Sequence, residues 1–326
     1  PDTNREDMIL MYGFVPKGGS LVICGPTNAG KTTFNIQLAL QLVTGKCDCP
    51  LAPNPAPVKP QNVLLFSTEQ SKKKIKHDYK ALSTLSKRYP NFKVETEGVS
   101  PEEIFAKVKL HLETADNQGI VIVIDNYTKL VDAYGESKVK WMDRKLEELR
   151  RKNENIRPVT IIKVVHTNKK YKEYNPVDIQ HIDGKAGIAN FTHNLIFLTS
   201  CGKGHDYRIL KERKNKIDGT KDTVSILKYA GTDPHQFVYD GEAVEGEVLP
   251  PRPTHKAKDD GEDANNVAPG KRGRKEKYSV AELAEMQEEF KAGFNWREIL
   301  ESRGFEYSKD KARGIKEAMK RHKIRA

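Results

Sequence analysis

Residues 25–32 constrain this chain more than any other part of it. Gly25-Pro26-Thr27-Asn28-Ala29-Gly30-Lys31-Thr32 fits the spacing G-x-x-x-x-G-K-[ST], follows the apolar run at 20–24 (SLVIC), and with Thr33 opens an amphipathic stretch. A strand feeding a glycine-bearing turn and then a helix aims a row of backbone N–H groups, and the positive end of the helix, at one point. The glycines let that backbone curl around phosphate oxygens, Lys31 sets its charge against the β- and γ-phosphates, and the Thr32 hydroxyl ligates Mg²⁺. Gly25 to Thr33 therefore form the expected nucleotide cradle, with ATP and Mg²⁺ as its ligands.

The surrounding segments alternate in the way such a cradle needs. Strands are expected at 20–24, 62–67, 119–124, 159–165, 194–199, 207–211 and 224–229, and helices at about 32–43, 71–88, 101–113 and 138–152. The run IVIVI at 120–124 is apolar at successive positions, so both of its faces are covered, as in a parallel sheet between helices. The later strands follow one another without helices, so antiparallel hairpins should finish that side of the sheet. Five prolines within 47–60 exclude regular structure there, and the segment reads as an extended surface connection.

At 326 residues the chain is too long for one small core, and 37% hydrophobic with 31% charged residues suits a packed interior but no bilayer span. Four cysteines cannot staple a chain of this size and no secretory leader opens it, so the expected location is the cytoplasm. Lys and Arg number 56 against 45 Asp and Glu, and the net charge of +11 favours a polyanionic partner.

Residues 271–326 hold 16 basic and 10 acidic side chains, so more than half of the excess lies in the last sixth of the chain. The Gly-, Pro-, Asp- and Lys-rich stretch 241–277 reads as a flexible linker between a nucleotide domain over 1–240 and a module over 278–326. Helical patterns at 280–292, 296–302 and 309–321 make that module a three-helix, helix-turn-helix-like unit. Its third helix carries Lys309, Arg313 and Lys316, which suits a nucleic-acid recognition helix. A bundle that contacts a protein partner and keeps a solvated basic face is the alternative.

Two carboxylates stand where a parallel sheet places a ligand, just beyond the carboxyl ends of strands. Asp125 ends the run at 120–125 and is the expected Mg²⁺ partner of Thr32. Glu69 follows the strand at 62–67, where a carboxylate can polarise an attacking water as general base; an acidic residue opening the next helix is the plainer reading.

The cradle, Asp125 followed by Asn126, and Asn62-Val-Leu-Leu-Phe-Ser-Thr-Glu69 together resemble the RecA-like P-loop ATPases. The likeness is to hexameric replicative helicases of the DnaB and RepA type (AAA ATPase domain) and to KaiC-like proteins, over about residues 8–240. In that family the base follows this strand, which supports Glu69. Lys163-Val-Val-His166 looks like the strand that ends in a γ-phosphate sensor, here His166, and Gly184 to Asn190 looks like the family's small-residue helix. Lys211-Glu-Arg213 is similar to the K-x-R pair that reaches a neighbouring subunit's γ-phosphate, although a charged edge strand has the same composition. The loop 168–184 would then face a ring's channel, where Lys169, Lys170, Tyr171 and Lys172 interleave cations with aromatic rings that suit single-stranded DNA.

The resemblance thus implies an α/β, RecA-like P-loop ATPase, mostly parallel in its sheet with flanking helices, followed by a small all-α module. It further implies a homo-oligomer, a hexameric ring, acting as a DNA helicase or translocase in the replication of a plasmid, phage or mobile element. The alternative is a KaiC-like regulatory or recombination-mediator switch that does not unwind.

Overall fold

The computed structural model describes residues 8–53, 59–69, 73, 88–96, 99–114, 119–183, 188, 192–232, 235–252, 280–303 and 315. In chain order the strands are β1 (Ile9–Met11), β2 (Val15–Pro16), β3 (Ser20–Gly25), β4 (Asn62–Ser67), β5 (Phe92–Glu95), β6 (Ile120–Asp125), β7 (Val159–His166), β8 (Asn194–Ser200), β9 (Tyr207–Asn215), β10 (Thr223–Thr232) and β11 (His235–Val244). The helices are α1 (Lys31–Thr44), α2 (Pro101–Thr114), α3 (Tyr127–Tyr134), α4 (Glu136–Lys152), α5 (Glu245–Val248), α6 (Val280–Lys291) and α7 (Trp296–Ser302).

Nine strands form one sheet in the order β11-β10-β9-β8-β3-β7-β6-β4-β5, and β1 pairs with β2 apart from it. Neighbours from β5 to β8 are parallel. From β8 outward to β11 they are antiparallel, as the run of strands without helices requires. Alternate residues of a strand point to opposite faces, and here both faces are dry. Leu21 and Ile23 of β3 pack with Phe34, Leu38 and Leu42 of α1 on one side. Val22 and Cys24 face the other, with Val108 of α2 and Met142 and Leu146 of α4. Helix α4 offers that face Val139, Met142 and Leu146 at helical spacing, and Gly135, at φ 83, breaks the chain between α3 and α4.

The sheet runs past residue 240, where the sequence reading begins the linker. β11 continues to Val244, and Val248 of α5 packs against Ile209, Val224 and Ile226. So few apolar positions among Gly, Glu and Pro leave no composition signal, yet they close the sheet's outer edge. Residues 47–53 likewise do more than skirt the surface. Leu51 is fully buried, its N–H donates to the Tyr12 hydroxyl at 3.1 Å, and Gln37 and Gln41 of α1 donate to the Cys49 carbonyl at 2.9 and 2.7 Å. The helix expected at 71–88, the segment 184–190 and the linker from residue 253 fall mostly or wholly outside the described residues.

In the C-terminal unit, α6 and α7 bury Leu283, Met286, Trp296, Ile299 and Leu300 with Ile315. Asn295 starts α7 with a capping box closed by Glu298. Phe290 and Phe294, expected in that core, are exposed, Phe290 stacking on Trp296. Of the expected third helix only Ile315 is described, so Lys309, Arg313 and Lys316 lie outside the described residues. Among the described residues no helix is long and apolar enough to cross a membrane.

Candidate active site

Parallel strands end on one side of a sheet, so residue types scattered along the sequence meet at one edge. Gly25, ending β3, is level with His166, ending β7, and Ser67 of β4 is level with Asp125 of β6. Glu69 stands two residues beyond β4.

Sterics shape the turn between β3 and α1. Asn28 (φ 65) and Gly30 (φ 87) are both left-handed, and Gly30 caps α1. A Cβ added at Gly25 would lie 2.2 Å from the Leu198 carbonyl oxygen, and one at Gly30 would lie 2.7 Å from the Phe237 ring. Neither position has room for a side chain. Arg208 of β9 donates Nε–H to the Ala29 carbonyl at 2.9 Å and ties the turn from the antiparallel half of the sheet. Pro26 is half-buried, Thr27 and Asn28 are exposed, and Thr33 is half-buried in the first turn of α1.

Lys31 points back into this turn. Its Nζ donates to the carbonyls of Gly25 and Pro26 at 2.9 and 2.8 Å and lies 3.1 Å from His166 Nδ1. Burial holds the Lys31 ammonium below the ordinary lysine range, against Cys24, Asp125 and Glu69. The Thr32 hydroxyl hydrogen-bonds the Asp125 carboxyl, which burial pushes up to about 6; Glu69 adds to that rise, while Thr32 and Lys31 oppose it. Asn35, one turn beyond Thr32, is buried with neither amide atom in a full hydrogen bond. A hydroxyl, a buried carboxylate and an unspent amide fit Mg²⁺, which takes a carboxylate or two and completes its shell with water and phosphate oxygens.

His166 lies between two groups. Its Nε2 is 2.5 Å from Asn126 Nδ2, on the side opposite Lys31, and Asn126 Nδ2 is 3.3 Å from Glu69 Oε2. Burial first, then the Lys31 charge, keeps the imidazole below the ordinary histidine range. Thr68 bonds both backbone atoms of Asn126, and its own N–H donates to the Asp125 carbonyl at 2.7 Å. Lys31, His166, Asn126 and Glu69 are thus one contiguous chain of contacts. Sequence reasoning quotes Asn126 only as the residue that is not the acid, and overlooks Thr68, Arg208 and Phe237. No spacing rule marks them, because each acts across strands that are distant in sequence.

Lys211 and Arg213 are placed away from this cluster. Lys211 is buried, and its Nζ bonds the carbonyls of Lys221, Asp222 and Thr223. Arg213 pairs with Glu245 at 3.0 Å and donates to the Val177 carbonyl at 2.6 Å, while the Val177 N–H donates to the same Glu245 carboxylate at 2.9 Å. The loop after His166 is pinched at its neck by a bridge between Thr167 and Ile182. Lys169, Lys170 and Lys172 are exposed on it. Tyr171 is not available to stack on a base: it is buried in the core behind the loop, edge-on to His181. An aromatic ring between lysines can turn inward as readily as outward, and apolar area decides for inward.

Comparison with known proteins agrees with this arrangement. Residues 3–172, more than half of the 326, match the AAA_25 family, described as an AAA domain. The chain belongs to that family. Among solved structures, one described as the ATPase domain of a larger protein is similar at a TM-score of 0.50 and 14% identity, covering 68% of this chain and 85% of that one. At such identity the likeness is one of fold, and it is the fold of a RecA-like P-loop ATPase. No curated protein matches the chain. The family match takes in the cradle, Glu69, Asp125 and His166 of the AAA domain and stops at Lys172, so Arg208, Lys211, Arg213 and Phe237 lie beyond it.

Proposed function

We propose that the protein is an ATP-dependent ring motor, a DNA helicase or translocase that hydrolyses ATP at the boundaries between identical subunits, a hexamer by resemblance. The observation that carries this reading is the unbroken line from Lys31 through His166 and Asn126 to Glu69 at the carboxyl edge of the sheet. Lys31 exchanges the Gly25 and Pro26 carbonyls for phosphate oxygens when nucleotide enters. Thr32 and Asp125 would hold Mg²⁺, which neutralises charge on the β- and γ-phosphate oxygens. Glu69, exposed at the mouth of the site, takes a proton from the attacking water as its oxygen bonds the γ-phosphorus and the bond to ADP breaks. His166, touching Lys31, registers whether that lysine is on phosphate or on its own loop.

Lys211 and Arg213 act on the neighbour's nucleotide in this reading, which accords with their distance from their own cradle's contacts. Arg213 must then leave Glu245. Because Glu245 also holds Val177, the same move loosens the loop that carries Lys169, Lys170 and Lys172, the candidate contacts to single-stranded DNA. All four cysteines are free, which suits the cytoplasm.

Light scattering with and without ATP and a single strand tests the assembly, a hexamer with both ligands being expected. Arg213→Ala should abolish hydrolysis and spare ATP binding measured by a fluorescent analogue; hydrolysis that survives in it would refute the finger. ATP turnover with no strand displacement would instead favour the regulatory switch.

A further inference from the structure

We propose that Asn126 is a positioning residue that fixes the tautomer of His166 and the aim of Glu69 through a single amide nitrogen. The proposal rests on reading Glu69 as base and His166 as sensor. Asn126 is buried and held at every polar atom. Its N–H donates to Thr68 Oγ1 at 2.9 Å, and its carbonyl accepts from that hydroxyl at 2.8 Å. Its Oδ1 accepts from the Thr128 N–H at 2.9 Å, capping α3. With the oxygen committed to the helix cap the amide cannot be turned over, so the nitrogen end faces the site. One of its hydrogens goes to Glu69 Oε2 at 3.3 Å and the other to His166 Nε2 at 2.5 Å.

A neutral imidazole carries one N–H and one bare nitrogen. Asn126 offers only hydrogens, so Nε2 is bare and the ring proton sits on Nδ1. Nδ1, however, faces Lys31 Nζ at 3.1 Å, a second donor. The ring cannot accept from both. The Asn126 contact is the shorter and comes from a clamped group, whereas Lys31 has two carbonyls of its own and moves onto phosphate when the cradle fills. The Lys31 contact is therefore the one that yields. Once it does, an Nδ1–H is left facing the cradle as a donor to a phosphate oxygen. Without Asn126, Lys31 would take Nδ1 as its acceptor, the proton would move to Nε2, and the sensor would turn a lone pair toward an anion. For Glu69, the Nδ2 hydrogen engages one carboxylate oxygen and leaves the other to receive the water's proton.

The test is the ring ¹⁵N–¹H correlation spectrum of the full chain labelled at histidine, without nucleotide, with the His166 signals assigned by their loss in His166→Gln. The expected wild-type result is a proton on Nδ1; a proton on Nε2 would overturn the proposal without any variant. Asn126→Asp keeps the cap but offers only an acceptor, so the proton should move to Nε2. Asn126→Ser keeps a capping oxygen and removes both donors without adding charge. Each variant should lose about tenfold or more in kcat, the effect of one lost hydrogen bond to a charged group, with KM for ATP within about twofold of wild type. A wild-type kcat in either variant, or a loss confined to KM, would overturn the proposal. Glu69→Gln separates the two layers. If it hydrolyses ATP normally, the base reading fails and takes the hold on Glu69 with it; if it is inactive while Asn126→Ser is not, only the role of Asn126 fails.

Discussion

Asp125→Asn asks whether this fold holds a charge for its cation at a cost to itself. The Asp125 carboxyl is buried and pushed up to about 6 from an ordinary 3.8. At about 1.4 kcal/mol for each unit, the ionised carboxylate costs the cation-free protein about 3 kcal/mol. The folded value lies above the unfolded one, so the unfolded chain loses its proton first. Below about pH 4 both states keep it and nothing is lost; stability falls as pH rises from about 4 through 6 and is level above that. Asparagine has the same shape without the charge. The variant should therefore melt with wild type near pH 4 and at least roughly 6 °C above it at pH 7.5, by scanning calorimetry in a chelator without nucleotide. Adding Mg²⁺ and ATP should raise the wild-type midpoint and leave the variant's nearly unmoved, with turnover in the variant below detection. A variant less stable than wild type at pH 7.5, or a gap that does not change with pH, would refute the argument.

Gly25→Ala should lower the melting midpoint and abolish nucleotide binding in a fluorescence titration, because the new methyl would sit 2.2 Å from the Leu198 oxygen and β3 would have to part from β8. Arg208→Ala removes the tie to Ala29 and should raise KM for ATP several-fold in steady-state kinetics while kcat changes less. Tyr171→Ala should cost about 3 kcal/mol in a urea titration as a core deletion. Charge reversal of Lys169, Lys170 and Lys172 together should leave that stability alone, weaken binding of a labelled single strand, and flatten the salt dependence by about 2 in log–log slope.

Much of the edge that carries the site is legible in the residues. The unbroken apolar runs at 20–24 and 120–124 require a sheet covered on both sides, and Leu21 against Val22 divides between the two faces accordingly. The spacing from Gly25 to Thr32 marks the turn, and carboxylates just past strand ends mark Glu69 and Asp125. The short helix α3 is not legible, because it is only eight residues long, and β11 is hidden among Gly, Glu and Asp. Tyr171 reads as a stacking platform and is core, since its neighbours in sequence say nothing of the apolar surface behind it. Local pattern reports which groups a segment can offer; it does not report what they meet.

That division holds for the whole protein. Sequence alone determined the class of sheet, the phosphate-type turn and the inventory of acid, base and cation, because these follow from backbone sterics and from periodicity within a few residues. Only the tertiary structure decided that Asn126 joins His166 to Glu69, that Arg208 and Phe237 brace the cradle from β9 and β11, and that Arg213 shares Glu245 with the loop at Val177. Strand order puts those partners together, and strand order is set by how the two apolar layers close over the whole sheet, which no short stretch of chain encodes.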